Sequence, residues 1–355
     1  MELLSLHLRN FRKFKEASFT FSPGVNAIVG ENGEGKTNLL EAIYFLITGK
    51  SFRTTNLKAL VHFGAPFFYI EAHYVKDGVD GVLKITCDGK EKKIVHNATS
   101  LQKMSDLFGI LLGVVLTPED EVLVSGSPQI RRRFLDLHIA QFSPNYLSHL
   151  SRYVKALKIR NECLRQNQMR EIEVWESEMA RSAAHVTFER KAAVLELNER
   201  SHLVGLHLSG SRDDLKISYT SKGFHTEEST LQEIEELYCN LMRSMRPKEV
   251  ERGISLVGPH RDDLAILLQE KEARLFASEG QKRSCVASLR LSEWSRLRSV
   301  TGELPLMCID DVGISLDPAR ERYLHQELGG LAQAFFTSPK HELAFPVNHV
   351  IHLKN

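Results

Sequence analysis

The chain has 355 residues, 42% of them hydrophobic and 26% charged, and carries a formal net charge of +1. That length and composition allow two or three packed globular units. A charge so near zero excludes a global field toward nucleic acid or membrane, so any such surface is a local patch.

No run of about 18 uninterrupted apolar residues occurs, so no helix is expected to span a bilayer. The opening "MELLSLHLRNFRKF" is apolar in alternation and then basic, the reverse of a signal peptide's order. Five cysteines are scattered singly without a CxxC pair. That pattern argues against a zinc site or disulfide framework and for a reducing cytosol. The 15 histidines form no HExxH helix. A cytoplasmic location is expected.

Residues 1–110 read as strand-rich with one helix. "LLSLHLRNF" and "KEASFTF" alternate with period two, as exposed antiparallel strands do. "VNAIVG" is a short buried strand ending at Gly30. In "KTNLLEAIYFLITG" the apolar positions 39, 40, 43, 46 and 47 make a helical stripe stopped by Gly49. "FFYIEAHYV" and "GVLKITCDGKEKKIVHN" predict further strands, the latter turning at Asp88-Gly89.

Between 128 and 205, glycine and proline become scarce and apolar residues recur at spacings of three and four. This predicts amphipathic helices forming a compact arm, without a long heptad repeat. From about 210 strands return in "DLKISYTS" and "ISLVGPHRDDLAILLQ". A helix over 280–298, the buried strand "LPLMCIDDV", a helix over 318–330 and the strand "AQAFFTS" follow. An α/β unit thus starts, is interrupted by helices, and resumes. The expected division is 1–115 and 251–355 for the two parts of that unit, and 116–250 for the arm.

Gly30-Glu31-Asn32-Gly33-Glu34-Gly35-Lys36-Thr37 fits GxxxxGK[ST] without a mismatch, between an apolar strand and an amphipathic helix. The glycines let backbone N–H groups converge on phosphate oxygens at a helix N-terminus; Lys36 reaches the outer phosphates and Thr37 faces Mg²⁺. Such a loop needs an acid at the end of a neighbouring buried strand. "LPLMCIDD" supplies two: Asp310 as the candidate for the metal shell and Asp311 as the candidate base for the attacking water. With these halves at 36 and 310, small compact GTPase and kinase layouts are excluded.

"FASEGQKRS" places Ser278, Gly280 and Gln281 at the start of a helix, a second anion-binding tip or a plain helix cap. Beside the intact P-loop it resembles the signature of ABC-type ATPases, which binds the γ-phosphate held by the opposite subunit. A transporter subunit would set this signature much closer to the P-loop and would lack the arm. A fused nuclease of the overcoming-lysogenisation-defect type would need more chain after Asp317. A purely structural protein with a decayed site is disfavoured by the intact Lys36, Thr37 and Asp310.

"PEDEVLVSGSPQIRRRFLD" (118–136) resembles the RecF family pattern, and "LRNFRKF", "GENGEGKTNLLEAIY", "GKSFRT", "GPHRDDL" and "ASEGQKRS" agree with it. The resemblance runs from about 3 to 337. It implies an ABC-type α/β head, split in sequence with a mixed sheet and helices, plus a compact mainly helical arm. It also implies ATP and Mg²⁺ binding, an ATP-dependent homodimer, slow hydrolysis, and binding of single- or double-stranded DNA at gaps. The implied partners are RecO and RecR, with which the family assists RecA loading in recombinational repair, replication restart and the SOS response. Residue by residue, Lys36, Asp310 and Asp311 would be catalytic, Arg12 would lie beside the nucleotide, and Ser278, Gly280 and Gln281 would act in trans. Two departures stand out. Ile314-Ser315-Leu316-Asp317 carries serine where the family has glutamate, with Gly313 before it, although Asp317 keeps the cross-dimer acid. No histidine stands at Thr337-Ser338; the next is His341.

Arg152, Lys155, Lys158, Arg160 and Arg165 recur within one predicted helix with Glu162 as the single acid, after Arg131, Arg132 and Arg133. The face carrying Arg152, Lys155, Lys158 and Arg160 is the candidate DNA contact, neutralising phosphates without reading sequence; the alternative is a solvated face. "GPHRDDL" is either a functional loop or a turn whose His260 and Arg261 pair with Asp262 and Asp263.

Overall fold

The computed structural model describes residues 1–166, 168–209, 214–221, 230–311, 333–338 and 346–353. The chain divides into two compact units: the first comprises Met1–Glu121, Val204–Asp213 and Ser278–Asn355, the second Val122–Leu203 and Asp214–Ala277.

The first unit opens with β1 (Glu2–Phe11) and β2 (Phe14–Thr20), whose alternating side chains bury one face, followed by β3 (Gly24–Val29) and α1 (Lys36–Thr48). Then come β4 (Phe68–Lys76), β5 (Val79–Cys87), β6 (Lys92–His96), β7 (Thr99–Leu101) and β8 (Gly113–Leu116). β2-β1-β4-β5-β6-β7 form one antiparallel sheet.

The second unit holds α2 (Val122–Ser125), α3 (Pro128–Ala140), α4 (Pro144–Gln166), most of α5 (Met169–Ser209), β9 (Leu215–Thr220), α6 (Leu231–Arg252), β10 (Asp263–Leu268), β11 (Lys271–Glu272) and α7 (Ala273–Phe276). β11-β10-β9 pair antiparallel. The helices bury Tyr153, Ala156, Ala180, Ala183, Ala184, Ile234, Tyr238 and Met242 in a shared core. Small alanines on α5 let its neighbours approach closely.

The first unit resumes with α8 (Glu279–Thr301), β12 (Leu306–Ile309), β13 (Gln333–Ser338) and β14 (His349–His352). β14-β3-β13-β12-β8 form an all-parallel sheet, so β3, from the N-terminal part of the chain, lies between the C-terminal strands β14 and β13. Leu39, Ile43, Phe45 and Ile47 of α1 join one core with Leu6, Leu8, Phe68 and Ile70 of the antiparallel sheet and Leu306, Cys308 and Phe335 of the parallel one. Each such buried side chain contributes about 1.5–3 kcal/mol of transfer free energy. The helix after the P-loop is thereby clamped between both sheets.

Several features differ from the sequence reading. α6 falls in a stretch of the predicted arm where no individual element was read; its apolar Ile234, Tyr238 and Met242 recur every four residues among charges, and a Thr230/Glu233 capping box starts it. β10 begins only at Asp263, because the preceding backbone donors are diverted: Ser255 N bonds Asn161 Oδ1 at 2.7 Å and Leu256 N bonds Glu249 Oε1 at 2.5 Å. Residues 251–277, assigned from sequence to the α/β unit, lie in the second unit. There β10 pairs with β9, and Asp263 grips Arg131 of α3 at 2.7 and 2.8 Å. β8 and β14 were not expected. The predicted helix over 318–330, the positions Gly313 to Asp317, and His341 lie outside the described residues.

No helix among the described residues is long and apolar enough to cross a membrane. All five cysteines are free thiols.

Candidate functional site

β3 ends at Val29 and the chain curls through Gly30–Gly35 into α1. Gly33 and Gly35 have φ of 86° and 103°, a left-handed region that other residues enter at a cost. Gly35 has a second constraint, since a Cβ there would stand 2.9 Å from the Phe14 ring and 3.0 Å from Lys13 Cδ. The first turn of α1 has no side-chain cap, so its amide N–H groups are left for an anion.

Lys36 is buried, and its ammonium donates to the Gly30 and Glu31 carbonyls at 2.6 and 2.9 Å. The Glu34 carboxylate accepts from Glu31 N at 2.5 Å, so an anionic oxygen already bonds one loop amide. Thr37 Oγ1 donates to Asp310 Oδ2 at 2.8 Å, joining the P-loop to the acid after β12. Thr337, at the end of β13, donates to Asp310 Oδ1 at 2.5 Å and accepts from Asp311 N at 2.8 Å. β13 lies between β3 and β12, and so its last threonine reaches the acids that follow β12.

Asp310 is 5% exposed. Burial pushes its carboxyl above the usual carboxylate range, hydrogen bonds from Thr337 and Thr37 pull it back, and the nearby charges of Asp311 and Glu119 push it up again. A cation beside Thr37 and Asp310 would relieve this accumulation of negative charge, so the donor set fits Mg²⁺ completed by phosphate and water oxygens. Among the described residues no cluster of three or more His, Cys, Asp and Glu could hold a metal by itself. Asp311 adopts φ of 49°, a strained conformation for a non-glycine residue that turns it away from the strand path.

The sequence reading missed Thr337 as the partner of both acids, Glu119 in the turn after β8, and Lys13. Lys13 Nζ donates to Gly33 O at 3.0 Å. Arg12, expected beside the nucleotide, forms a fork with buried Glu41 at 2.8 and 2.7 Å and donates to Ala59 O at 2.9 Å. Of this pair, then, Lys13 meets the loop and Arg12 braces α1. Asn32 is exposed at the loop's crest.

Ser278 caps α8: its hydroxyl accepts from Gln281 N at 3.3 Å while Gln281 Oε1 accepts from Ser278 N at 3.0 Å. Gly280 O accepts from Ser284 Oγ at 3.0 Å. Ser278 and Glu279 are exposed, so the tip faces outward.

In the second unit, Arg152, Lys155 and Lys158 are exposed on α4. Arg160, assigned with them to DNA, is fully buried and paired with Glu176 and Glu249 at 2.8 and 2.6 Å. A guanidinium enclosed in this way cannot reach a phosphate, and Arg160 is removed from the candidate surface. The side chains of the "GPHRDDL" turn bond to partners outside it rather than to one another: Asp263 to Arg131, Asp262 to Tyr219 and Ser221, His260 to Tyr153.

Residues 2–354 match the family model described as RecF/RecN/SMC N terminal domain. A DNA replication and repair protein RecF of Protochlamydia amoebophila is 41% identical over 339 residues, 95% of this chain and 94% of that protein. Its counterpart in Chlamydia caviae is 36% identical over 342 residues, 95% of this chain and 92% of that one. A solved structure described as the recombination mediator protein RecF with ATP in the RecFOR pathway superposes with a TM-score of 0.91 at 29% identity, covering 99% of this chain and 95% of that one. A second, with the description RecF-ATPrS, gives 0.89 at 29%, covering 99% and 96%. With a P-loop joined to a strand-end acid, a split α/β unit and relatives matched along almost their full length, this chain belongs to the RecF family.

Proposed function

We propose that this chain binds ATP with Mg²⁺ in the Gly30–Thr37 loop, pairs with a second copy over two nucleotides, and holds DNA in that state. The observation that carries this reading is the 2.8 Å hydrogen bond from Thr37 to Asp310. It unites residues from opposite ends of the sequence in one site of the kind that grips a hydrated cation and a triphosphate.

Lys36 exchanges its carbonyl partners for phosphate oxygens. Thr37 and Asp310 hold the metal shell, with Thr337 fixing the Asp310 carboxylate. Asp311 accepts a proton from the attacking water at its carboxylate. Bound Mg²⁺ supplies charge neutralisation on the phosphates. The Ser278 hydroxyl, exposed at the tip of α8, and the half-buried Gly280 and Gln281 beside it complete the site held by the partner copy. Hydrolysis is slow and resets the dimer.

Arg152, Lys155 and Lys158 contact DNA phosphates without base readout, which suits single- or double-stranded DNA at gaps. The chain acts with RecO and RecR in the cytosol to assist RecA loading in repair, replication restart and the SOS response.

Lys36→Met should abolish the ATP-induced shift to dimer on a sizing column. Dimer formation undiminished by the substitution would overturn the reading. DNA retention should require ATP, and its log affinity should fall against log salt with a slope of about 0.9 for each phosphate neutralised on duplex DNA.

A further inference from the structure

The second unit carries a cleft of about 300 Å³ beside α6. One wall is a single helix face, with Leu241 and Met245 above Lys248 and Arg252 at spacings of three and four. The other wall is the turn before β10, which contributes Leu256, Val257 and Arg261.

Its lining is aliphatic at the centre and basic at the rim, with no carboxylate among the lining residues. Lys248, Arg252 and Arg261 are exposed, and none has an ion-pair partner among the described residues. Arg246, on the same helix, contrasts with them: Glu173 and Glu176 both hold it. Three cations left without acids around an apolar floor make a surface complementary to negative charge.

The walls are fixed in advance. Glu249 of α6 is fully buried, and it accepts from Arg160 at 2.6 Å and from Leu256 N at 2.5 Å. Ser255 is held by Arg160 at 2.7 Å and by Asn161 at 2.7 and 2.8 Å. The buried ion network therefore ties the turn to the helix, and an occupant need not order the cleft.

No aromatic ring lines the cleft, so stacked bases find no platform there. Leucine, valine and methionine instead accommodate a bulky apolar side chain of variable shape. We propose that the cleft docks an acidic segment of a partner protein: one bulky apolar side chain enters between Met245 and Leu256, and flanking carboxylates meet Lys248, Arg252 and Arg261. The proposal concerns the second unit alone and stands whether or not the nucleotide reading does.

Fluorescence anisotropy with the full chain, without nucleotide, tests it. The probes are a short labelled peptide of aspartates around a Leu-Phe pair, the same peptide with Ser-Ser in place of that pair, and a labelled single-stranded DNA oligonucleotide. The Leu-Phe peptide should bind about tenfold or more tightly than the Ser-Ser peptide, since the apolar anchor carries most of the energy. Lys248→Glu with Arg252→Glu should weaken it by about tenfold or more, and added salt should weaken it further. Met245→Ala, which leaves the charge intact, should narrow the difference between the two peptides. Both reversed residues are exposed, and an unchanged circular dichroism spectrum checks that the fold is kept. No measurable peptide binding, equal binding of both peptides, indifference to the charge reversal, or displacement of the peptide by the oligonucleotide would each overturn the proposal.

Discussion

Arg160 heads the largest fully buried side chains among the described residues, and its guanidinium is divided among Glu176, Glu249 and Ser255. Arg246 shares Glu176, so two cations balance two carboxylates. Removing Arg160 leaves a fully buried Glu249 facing only Leu256 N. Arg160→Ala should therefore cost about 3–5 kcal/mol in urea unfolding. Arg152→Ala should change stability by less than about 0.5 kcal/mol yet weaken ATP-dependent DNA retention. The distinction was written in the spacing. Tyr153, Ala156, Arg160, Cys163 and Leu164 make the buried stripe of α4, and Arg160 falls on it seven residues after Tyr153. Counting basic residues along the helix ignored which face each one occupied. The P-loop was legible because its chemistry resides in eight consecutive residues. Thr337, Glu119 and Lys13 were not, because strand order and the packing of the β1–β2 turn bring them in, and neither is encoded in local spacing.

At the scale of elements, long periodic segments announced themselves: α1, α4 and α5 follow their apolar stripes, and β1, β4 and β5 their alternation. Short strands such as β8 and β14, four residues each, offer too few positions for any period to show. The turn between α6 and β10 defied the pattern because polar side chains, Asn161 and Glu249, occupy its backbone donors. That turn also titrates. His260 has one ring nitrogen 2.5 Å from the Tyr153 hydroxyl and the other 3.2 Å from Ser255 O. Burial holds its pKa at about 4, below the ordinary 6.5. Between those values the unfolded chain binds a proton that the folded chain refuses. Stability thus falls as pH drops from 6.5 to 4 and levels off below, by about 3 kcal/mol at most at 1.36 kcal/mol per pKa unit. Burial raises the Asp262 carboxyl, which works in the opposite sense at acidic pH, so the test is a difference. Urea midpoints of His260→Gln should fall less steeply than those of the unsubstituted chain across this window; parallel slopes would mean that folding leaves the His260 pKa unchanged.

On the scale of the whole molecule, the split head is what makes a composite site conceivable. α8 carries the Ser278 tip and leads directly into β12, whose following acid meets Thr37, so one continuous segment bears both the tip proposed to act in trans and the acid that meets its own chain's loop. Within one chain the Ser278 hydroxyl serves as a helix cap, and its loss should cost about 1 kcal/mol; a larger effect on hydrolysis would have to come from a nucleotide held by a second copy. In the proposed two-fold pair each site would take its loop from one chain and its tip from the other. A Lys36→Met chain mixed with a Ser278→Arg chain would form hybrid pairs in which one site carries both lesions and the other none. Each variant alone should be inactive as an ATPase, and an equal mixture should recover activity, up to about half of the original rate, since each hybrid pair has one intact site of two. If the tip served the loop of its own chain, every site in the mixture would carry one lesion and no activity would return.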